Sequence, residues 1–317
     1  FSAVAAAAAS PPPSATWSQV FEPGAVSSLG LLGEKAGTLQ LAGSTAGPQE
    51  TSLPWAAQED AAGNLLWQKN CGSWGAGGGF IQAAGEGGFL VAGLAGTSSQ
   101  PLLWLVALDS SGALQWQESV GAPPFRGWLD YAFEAPDGWI LKGNVVNPLF
   151  QSQGPALVKL SATGELLWQW SYKPSASPGG GTDPYEISDV LALADGGALA
   201  AGTWISTGSG DANIFLLRVG PDGLPVWQFL LGSPDDETPS SLVETQDGGF
   251  LLTAAVLHHG DPGGQGDVSS VWAVRLSDSG QVLWETRLAG PGEGIAAGLG
   301  LPDPAGGFLL SGSTTSF

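Results

Sequence analysis

A glycine standing four residues before a tryptophan recurs five times along the chain, at Gly63/Trp67, Gly112/Trp116, Gly164/Trp168, Gly223/Trp227 and Gly280/Trp284. The local texts are AAGNLLW, SSGALQW, ATGELLW, PDGLPVW and SDSGQVLW. Eight residues before each glycine stands Trp55, Trp104, Ala156, Phe215 or Trp272, so the register extends over two adjacent segments. A sixth unit, lacking the glycine, begins at Trp17. A second landmark follows each tryptophan: EGGFLVAG (86–93), PDGWILKG (136–143), ADGGALAAG (194–202), QDGGFLLTA (246–254) and PAGGFLLSG (304–312), with a weaker copy, KAGTLQLAG, at 35–43. Self-similarity at such a period marks a repeat architecture. Asp-Gly and Gly-Gly between apolar runs signal hairpins, because tight hairpin turns need positive φ.

Each repeat thus contains two hairpins, and the chain reads as six units of about 50 to 59 residues with four short strands apiece. Alternation supports strands: in WLVALDSSG, Leu105, Ala107 and Asp109 point one way, Trp104, Val106 and Leu108 the other. The 50 glycines among 317 residues argue against helices, since glycine costs about 1 kcal/mol in a helix interior relative to alanine. The expectation is an all-β chain folded as a six-bladed β-propeller, four antiparallel strands to a blade. The six repeated tryptophans, Trp17, Trp67, Trp116, Trp168, Trp227 and Trp284, are expected to pack blade against blade, each indole N–H finding an acceptor.

DSSGALQW and SDSGQVLW look like the tryptophan-docking motif of quinoprotein-type propellers, and the DGGFLL landmark resembles secreted bacterial propeller-repeat proteins. The resemblance covers about residues 17–316. It implies that the DGG hairpin joins two inner strands and the G-x-x-x-W hairpin two outer ones. Blade one would then run over about 26–70, and the last blade would begin near 294 and reach the end of the chain after two strands. Residues 1–16, rich in Ala and Pro, are the expected closing strand of that blade, in cis or exchanged with a second copy. Residues 17–317 would form one propeller domain. The chain opens on Phe1 and contains no methionine. That reads as either a fragment or a processed product; removal of a signal segment, the preferred reading, implies a secreted or cell-surface location.

A net charge of −20, with nine Lys and Arg against 29 Asp and Glu, speaks against nucleic acid or an anionic membrane surface as partner. The apolar start FSAVAAAAAS is too short to span a bilayer, which takes about 20 residues. One cysteine, Cys71, excludes an intramolecular disulfide and a multi-thiolate metal site. Quinone-dependent catalysis, the activity the resemblance would suggest, goes with eight blades, a calcium site and often adjacent cysteines, and the chain departs from that pattern. Without a G-x-S-x-G elbow, and with His258 and His259 expected together in a loop, nucleophilic catalysis finds little support.

What remains is acidic and aromatic. Asp130, Asp183, Asp189, Asp236 and Glu237 fall before or within expected inner strands. There paired carboxylates from different blades could serve glycoside hydrolysis. Trp128, Trp204 and Tyr185 are the candidates for stacking on a sugar ring, although for the two tryptophans core packing is the plainer expectation. Asp235, Asp261 and Asp267, in oxygen-rich loops, are the weak candidates for a calcium ion, which takes six to eight oxygens. For each acid, a hydrogen bond to loop backbone is the plainer expectation. The scarcity of His, Cys, Lys and Arg favours a noncatalytic role: a surface-layer or filament subunit that self-associates, or an adhesion module binding a cell-surface protein or glycan. A carbohydrate-active hydrolase or lyase using channel-mouth carboxylates is the alternative.

Overall fold

The computed structural model describes residues 26–35, 37–46, 52–72, 79–97, 100–121, 127–147, 152–172, 185–206, 209–259, 268–289, 295–303 and 307–314. Trp17 and the expected closing segment 1–16 lie outside them. The described residues form strands and turns and no helix. None of their segments is a helix long and apolar enough to cross a membrane.

Sheet I holds β1 (Val26–Lys35), β2 (Thr38–Ala46), β3 (Ser52–Asp60) and β4 (Leu65–Asn70). Sheet II holds β5 (Gly79–Ala83), β6 (Phe89–Thr97), β7 (Gln100–Leu108) and β8 (Leu114–Gly121). Sheet III holds β9 (Gly127–Ala135), β10 (Gly138–Asn147), β11 (Ser152–Ser161) and β12 (Leu166–Ser171). Sheet IV holds β13 (Tyr185–Ala192), β14 (Ala198–Ile205), β15 (Ala212–Val219) and β16 (Pro225–Leu231). Sheet V holds β17 (Asp236–Glu244), β18 (Phe250–His258), β19 (Val268–Leu276) and β20 (Val282–Ala289), and β21 (Ile295–Pro302) pairs with β22 (Phe308–Thr314) as a sixth, two-stranded sheet. Each four-stranded sheet is a meander with neighbours in chain order. The chain divides into two compact units, one of residues 1–91 and 106–115, the other of 92–105 and 116–317.

The glycine of each G-x-x-x-W text sits at positive φ and donates its N–H to the carbonyl three residues back, as in Gly164 to Ser161 and Gly223 to Gly220. A bulge follows. In sheet III the ladder passes from Lys159↔Trp168 to Leu160↔Leu166, leaving Leu167 unpaired, and the same skip falls at Leu66, Val226 and Leu283. These four aliphatic residues are exposed. A bulge bends its strand and re-aims side chains, and here it presents the next residue, the tryptophan, to the turn of the following repeat. In the first unit Trp67 Nε1 donates to Ser110 O at 2.9 Å. In the second, Trp116, Trp168 and Trp227 donate to Ala162 O, Pro221 O and Asp278 O at 2.8, 2.8 and 3.2 Å. Each indole lies so close over the next turn that a Cβ on Gly112, Gly164, Gly223 or Gly280 would meet a ring atom within 2.6 to 3.1 Å. Among the described residues, Trp284 meets the ring of Phe308 at 5.8 Å and no turn carbonyl.

The position facing the tryptophan across the ladder is polar. Lys159, Arg218 and Arg275 stand opposite Trp168, Trp227 and Trp284, and each forms an ion pair with the aspartate of its own sheet's DG turn: Asp137, Asp195 and Asp247. Lys159 is 1% exposed. Three of the nine cationic residues therefore hold hairpins together. In sheet I the corresponding Gln58 donates instead to Gly87 O at 2.6 Å.

Candidate functional site

In an antiparallel sheet, residues directly opposite one another share a face, as do residues two apart along a strand. In sheet V the pairings Glu237↔Val256, Val256↔Ser270 and Ser270↔Ala289 define one row, and Pro239↔Ala254, Ala254↔Trp272 and Trp272↔Arg287 define the next. His258, two beyond Val256, and Asp235, two before Glu237, fall on the same side. The apolar part of this face, with Leu252, Ala254, Val256, Trp272 and Val274, packs on Leu199, Ala201, Ile214 and Leu216 of sheet IV. Its far end, where β17 and β19 begin and β18 and β20 finish, carries a cluster of acids, imidazoles and a guanidinium.

Glu237 is fully buried. Its carboxylate accepts Ser233 N–H at 3.2 Å and the Ser233 hydroxyl, with Arg287 Nη2 at 3.6 Å. Burial raises its pKa above the usual carboxylate range, against the lowering pull of Ser233 and Arg287. Asp235 Oδ2 lies 2.8 Å from His258 Nδ1 and 3.4 Å from Arg287 Nη1. The other ring nitrogen, His258 Nε2, is 3.0 Å from Ser270 Oγ. The Arg287 guanidinium stacks 5.0 Å over Trp272, a geometry that holds the cation over the ring face. Asp236 accepts Ala212 N–H at 2.8 Å from sheet IV and lies 2.9 Å from His259 Nε2. The rim is open on the side of Asp235, Asp236, His258 and His259, whose side chains are 25%, 29%, 36% and 52% exposed.

Of the acids singled out in the sequence, Asp235 and Glu237 meet on one face through Arg287, while Asp236, between them in the chain, turns to Ala212 and His259. Of the two histidines expected in a loop, His259 lies just past the end of β18, whereas His258 is the last residue of that strand, and each faces a carboxylate. Strand pairing also brings Ser270 to His258. Asp235, a metal candidate, is engaged by His258 and Arg287. Among the described residues no group of three or more His, Cys, Asp or Glu side chains is arranged to hold a metal ion. Asp189 accepts Leu242 N–H at 2.9 Å, tying β13 to β17. Trp204 and Tyr185 face one another across β13 and β14. Trp204, 5% exposed, packs in the core with Ile187 and Phe215 and offers no stacking surface, while Tyr185 donates its hydroxyl to Tyr172 O. Trp128 and Asp130 lie on β9, where their side chains are outside the description, and Asp183, Asp261 and Asp267 fall outside the described residues.

No family model matches the chain, and no curated protein matches it. Solved structures do. A puromycin hydrolase is 17% identical, with a TM-score of 0.45 over 73% of this chain and 35% of its own. The endo-arabinase of Bacteroides thetaiotaomicron is 13% identical, with a TM-score of 0.38 over 76% of this chain and 90% of its own. A thermostable family-43 glycoside hydrolase is 14% identical, with a TM-score of 0.37 over 84% of this chain and 97% of its own. The chain spans about a third of the length of the puromycin hydrolase. These are enzymes, and the noncatalytic structural or adhesive role expected from composition is corrected accordingly. At such distant likeness, the chemistry has to be read from the rim itself.

Proposed function

We propose that the chain is a carbohydrate-active hydrolase whose reacting groups stand at the rim of sheet V. The observation that carries this reading is Glu237, a carboxyl kept toward its protonated form by burial, beside the more exposed carboxylate Asp235 on the same face. Two carboxyl groups with different environments can divide the work of glycoside hydrolysis, one giving a proton to the leaving oxygen, the other serving water or the sugar as base or nucleophile. Glu237 is the proton donor in this scheme and Asp235 its partner. Arg287 holds both in place through its two terminal nitrogens. The test is release of reducing ends from a polysaccharide panel by the wild-type chain and by Asp235→Asn and Glu237→Gln.

The sheets form successive blades of a six-bladed propeller in the same proposal, with residues 1–16 completing the blade begun by β21 and β22. The repeated seating of tryptophan on the next turn supports this. A secreted location suits a polymeric carbohydrate substrate. Deleting residues 1–10 should then lower the unfolding midpoint of the monomer; an unchanged midpoint counts against closure in cis.

A further inference from the structure

We propose that the same rim carries a serine nucleophile, Ser270, activated by His258 and Asp235, and that it cleaves small acyl esters. The inference rests on the hydrolase reading only for the leaving alcohol, which would be a carbohydrate hydroxyl. Its nucleophile and its bond are separate from those of glycoside hydrolysis.

Ser270 Oγ is 3.0 Å from His258 Nε2, and His258 Nδ1 is 2.8 Å from Asp235 Oδ2. A ring nitrogen beside a carboxylate is the protonated one of a neutral imidazole, so Nε2 is left bare to accept the serine proton. This is the geometry by which a base activates a hydroxyl and a third group orients the base, recognised by distances and not by position in the chain. Ser270 and His258 come from adjoining strands, β19 and β18, whose ladder fixes their separation, and Asp235 stands in the bend that leads into β17. Asp235 itself is held by Arg287, which is fixed over Trp272.

A second observation points to a ligand. Trp272 stands one row from Ser270 on the same face, 4% exposed, and its indole N–H has no hydrogen-bond partner among the described residues. A buried donor left unpaired costs free energy and gains an acceptor when a carbonyl oxygen is brought beneath it. In acyl transfer such a donor stabilises the oxyanion. Ser270 is 1% exposed, whereas His258 is open to solvent on one side. Entry is therefore past the imidazole edge and admits a short acyl group such as acetyl, not a polypeptide.

Acylation comes first. Ser270 Oγ bonds to the ester carbonyl carbon while its proton passes to His258 Nε2. The carbonyl oxygen becomes the oxyanion under Trp272 Nε1. The carbon to alkoxy-oxygen bond then breaks, and the departing alcohol takes the proton from Nε2. Water, deprotonated by the same nitrogen, attacks the acyl-serine; Ser270 recovers its proton, and one carboxylic acid leaves.

The experiment treats the full chain with diisopropyl fluorophosphate, reads the adduct by intact mass and peptide mapping, and follows hydrolysis of 4-nitrophenyl acetate in parallel. The expected result is one adduct per chain, on Ser270, formed at least about 100-fold more slowly in His258→Gln and about 10- to 100-fold more slowly in Trp272→Phe. Ser270→Cys, which nearly preserves side-chain volume, should lose the diisopropylphosphoryl adduct and be alkylated at position 270 by iodoacetamide. Each variant's unfolding midpoint shows that it is folded. No adduct on Ser270 of the folded wild-type chain, or a labelling rate that His258→Gln leaves unchanged, overturns the proposal. Labelling of Ser270 without release of sugar from the polysaccharide panel refutes glycoside hydrolysis alone. Sugar release without labelling refutes the nucleophile alone.

Discussion

Replacing Gly223 by alanine separates two costs that the tryptophan seats impose on their turns. Gly223 has a φ of +77°, and an added Cβ would stand 2.5 Å from Trp170 Cδ1 and 2.7 Å from Trp168 Cδ2. An L-residue in the left-handed region costs about 1 to 2 kcal/mol. Forcing a methyl group into a packed contact adds about 1 to 3 kcal/mol, for a total of about 2 to 5 kcal/mol. Gly248 is the matched control in the same unit: its φ is +82°, and an added Cβ there would meet nothing within 4 Å. Gly248→Ala should therefore cost the backbone part alone, about 1 to 2 kcal/mol. The assay is equilibrium urea unfolding followed by tryptophan fluorescence, with each loss taken from the shift in midpoint and the common slope. Gly223→Ala should lie about 1 to 3 kcal/mol below Gly248→Ala. Equal losses would refute the claim that Trp168 and Trp170 are seated on this turn.

Asp137→Ala leaves Lys159 buried, with Gly196 O at 3.4 Å as its remaining partner; it should cost roughly 3 kcal/mol, and Lys159→Met clearly less, because an uncompensated buried charge is worse than an apolar replacement. Urea midpoints of the two variants check the order. Glu59 is fully buried, and among the described residues neither of its carboxylate oxygens has a hydrogen-bond partner; the matching positions hold Leu160, Val219 and Leu276, so Glu59→Leu should stabilise at pH 7 by roughly 1 kcal/mol. Burial, with the charge of Asp60 adding to it, raises the Glu59 carboxyl, so the folded chain binds this proton more tightly than the unfolded one. Its stability contribution is complete below the ordinary carboxylate range and is lost as pH rises through the raised value. Asp195 has the opposite sign: although burial opposes it, the Gly197 N–H and Arg218 hold it low, and its contribution is lost as pH falls. The gain from Glu59→Leu should therefore shrink on acidification; a gain that grows as pH falls would refute the assignment.

Much of the fold is legible in the sequence because its signals are local. A glycine at fixed distance from a tryptophan records a turn, a bulge and a docking contact in five residues, and sheet I begins and ends at Val26 and Asn70, where the resemblance to quinoprotein-type propellers places the first unit. The cations under the indoles give a weaker signal, although Lys159, Arg218 and Arg275 each stand nine residues before a repeated tryptophan. Asp236 and Glu237 can be named from their place at the start of a strand, and Asp235 from its oxygen-rich loop. Ser270 and Arg287 cannot, nor can the meeting of His258 with Ser270, because these depend on the pairing of strands across connections of differing length. Counting back from Trp272, whose register is visible, puts Ser270 on its face. The pairing that brings His258 opposite Val268 spans a segment with no landmark. For Trp204 the plainer expectation, core packing, is the one the structure shows, and its place near a strand end carries no sign of which neighbours bury it.

Reducing-end release from a polysaccharide panel, measured for the wild-type chain and for Glu237→Gln, decides whether the rim of sheet V hydrolyses carbohydrate with Glu237 as proton donor. The wild-type chain should release sugar from at least one polysaccharide, and Glu237→Gln, at an unchanged unfolding midpoint, should lose about 100-fold or more of that activity. No release from any member of the panel, or release that survives the substitution, would contradict the assignment.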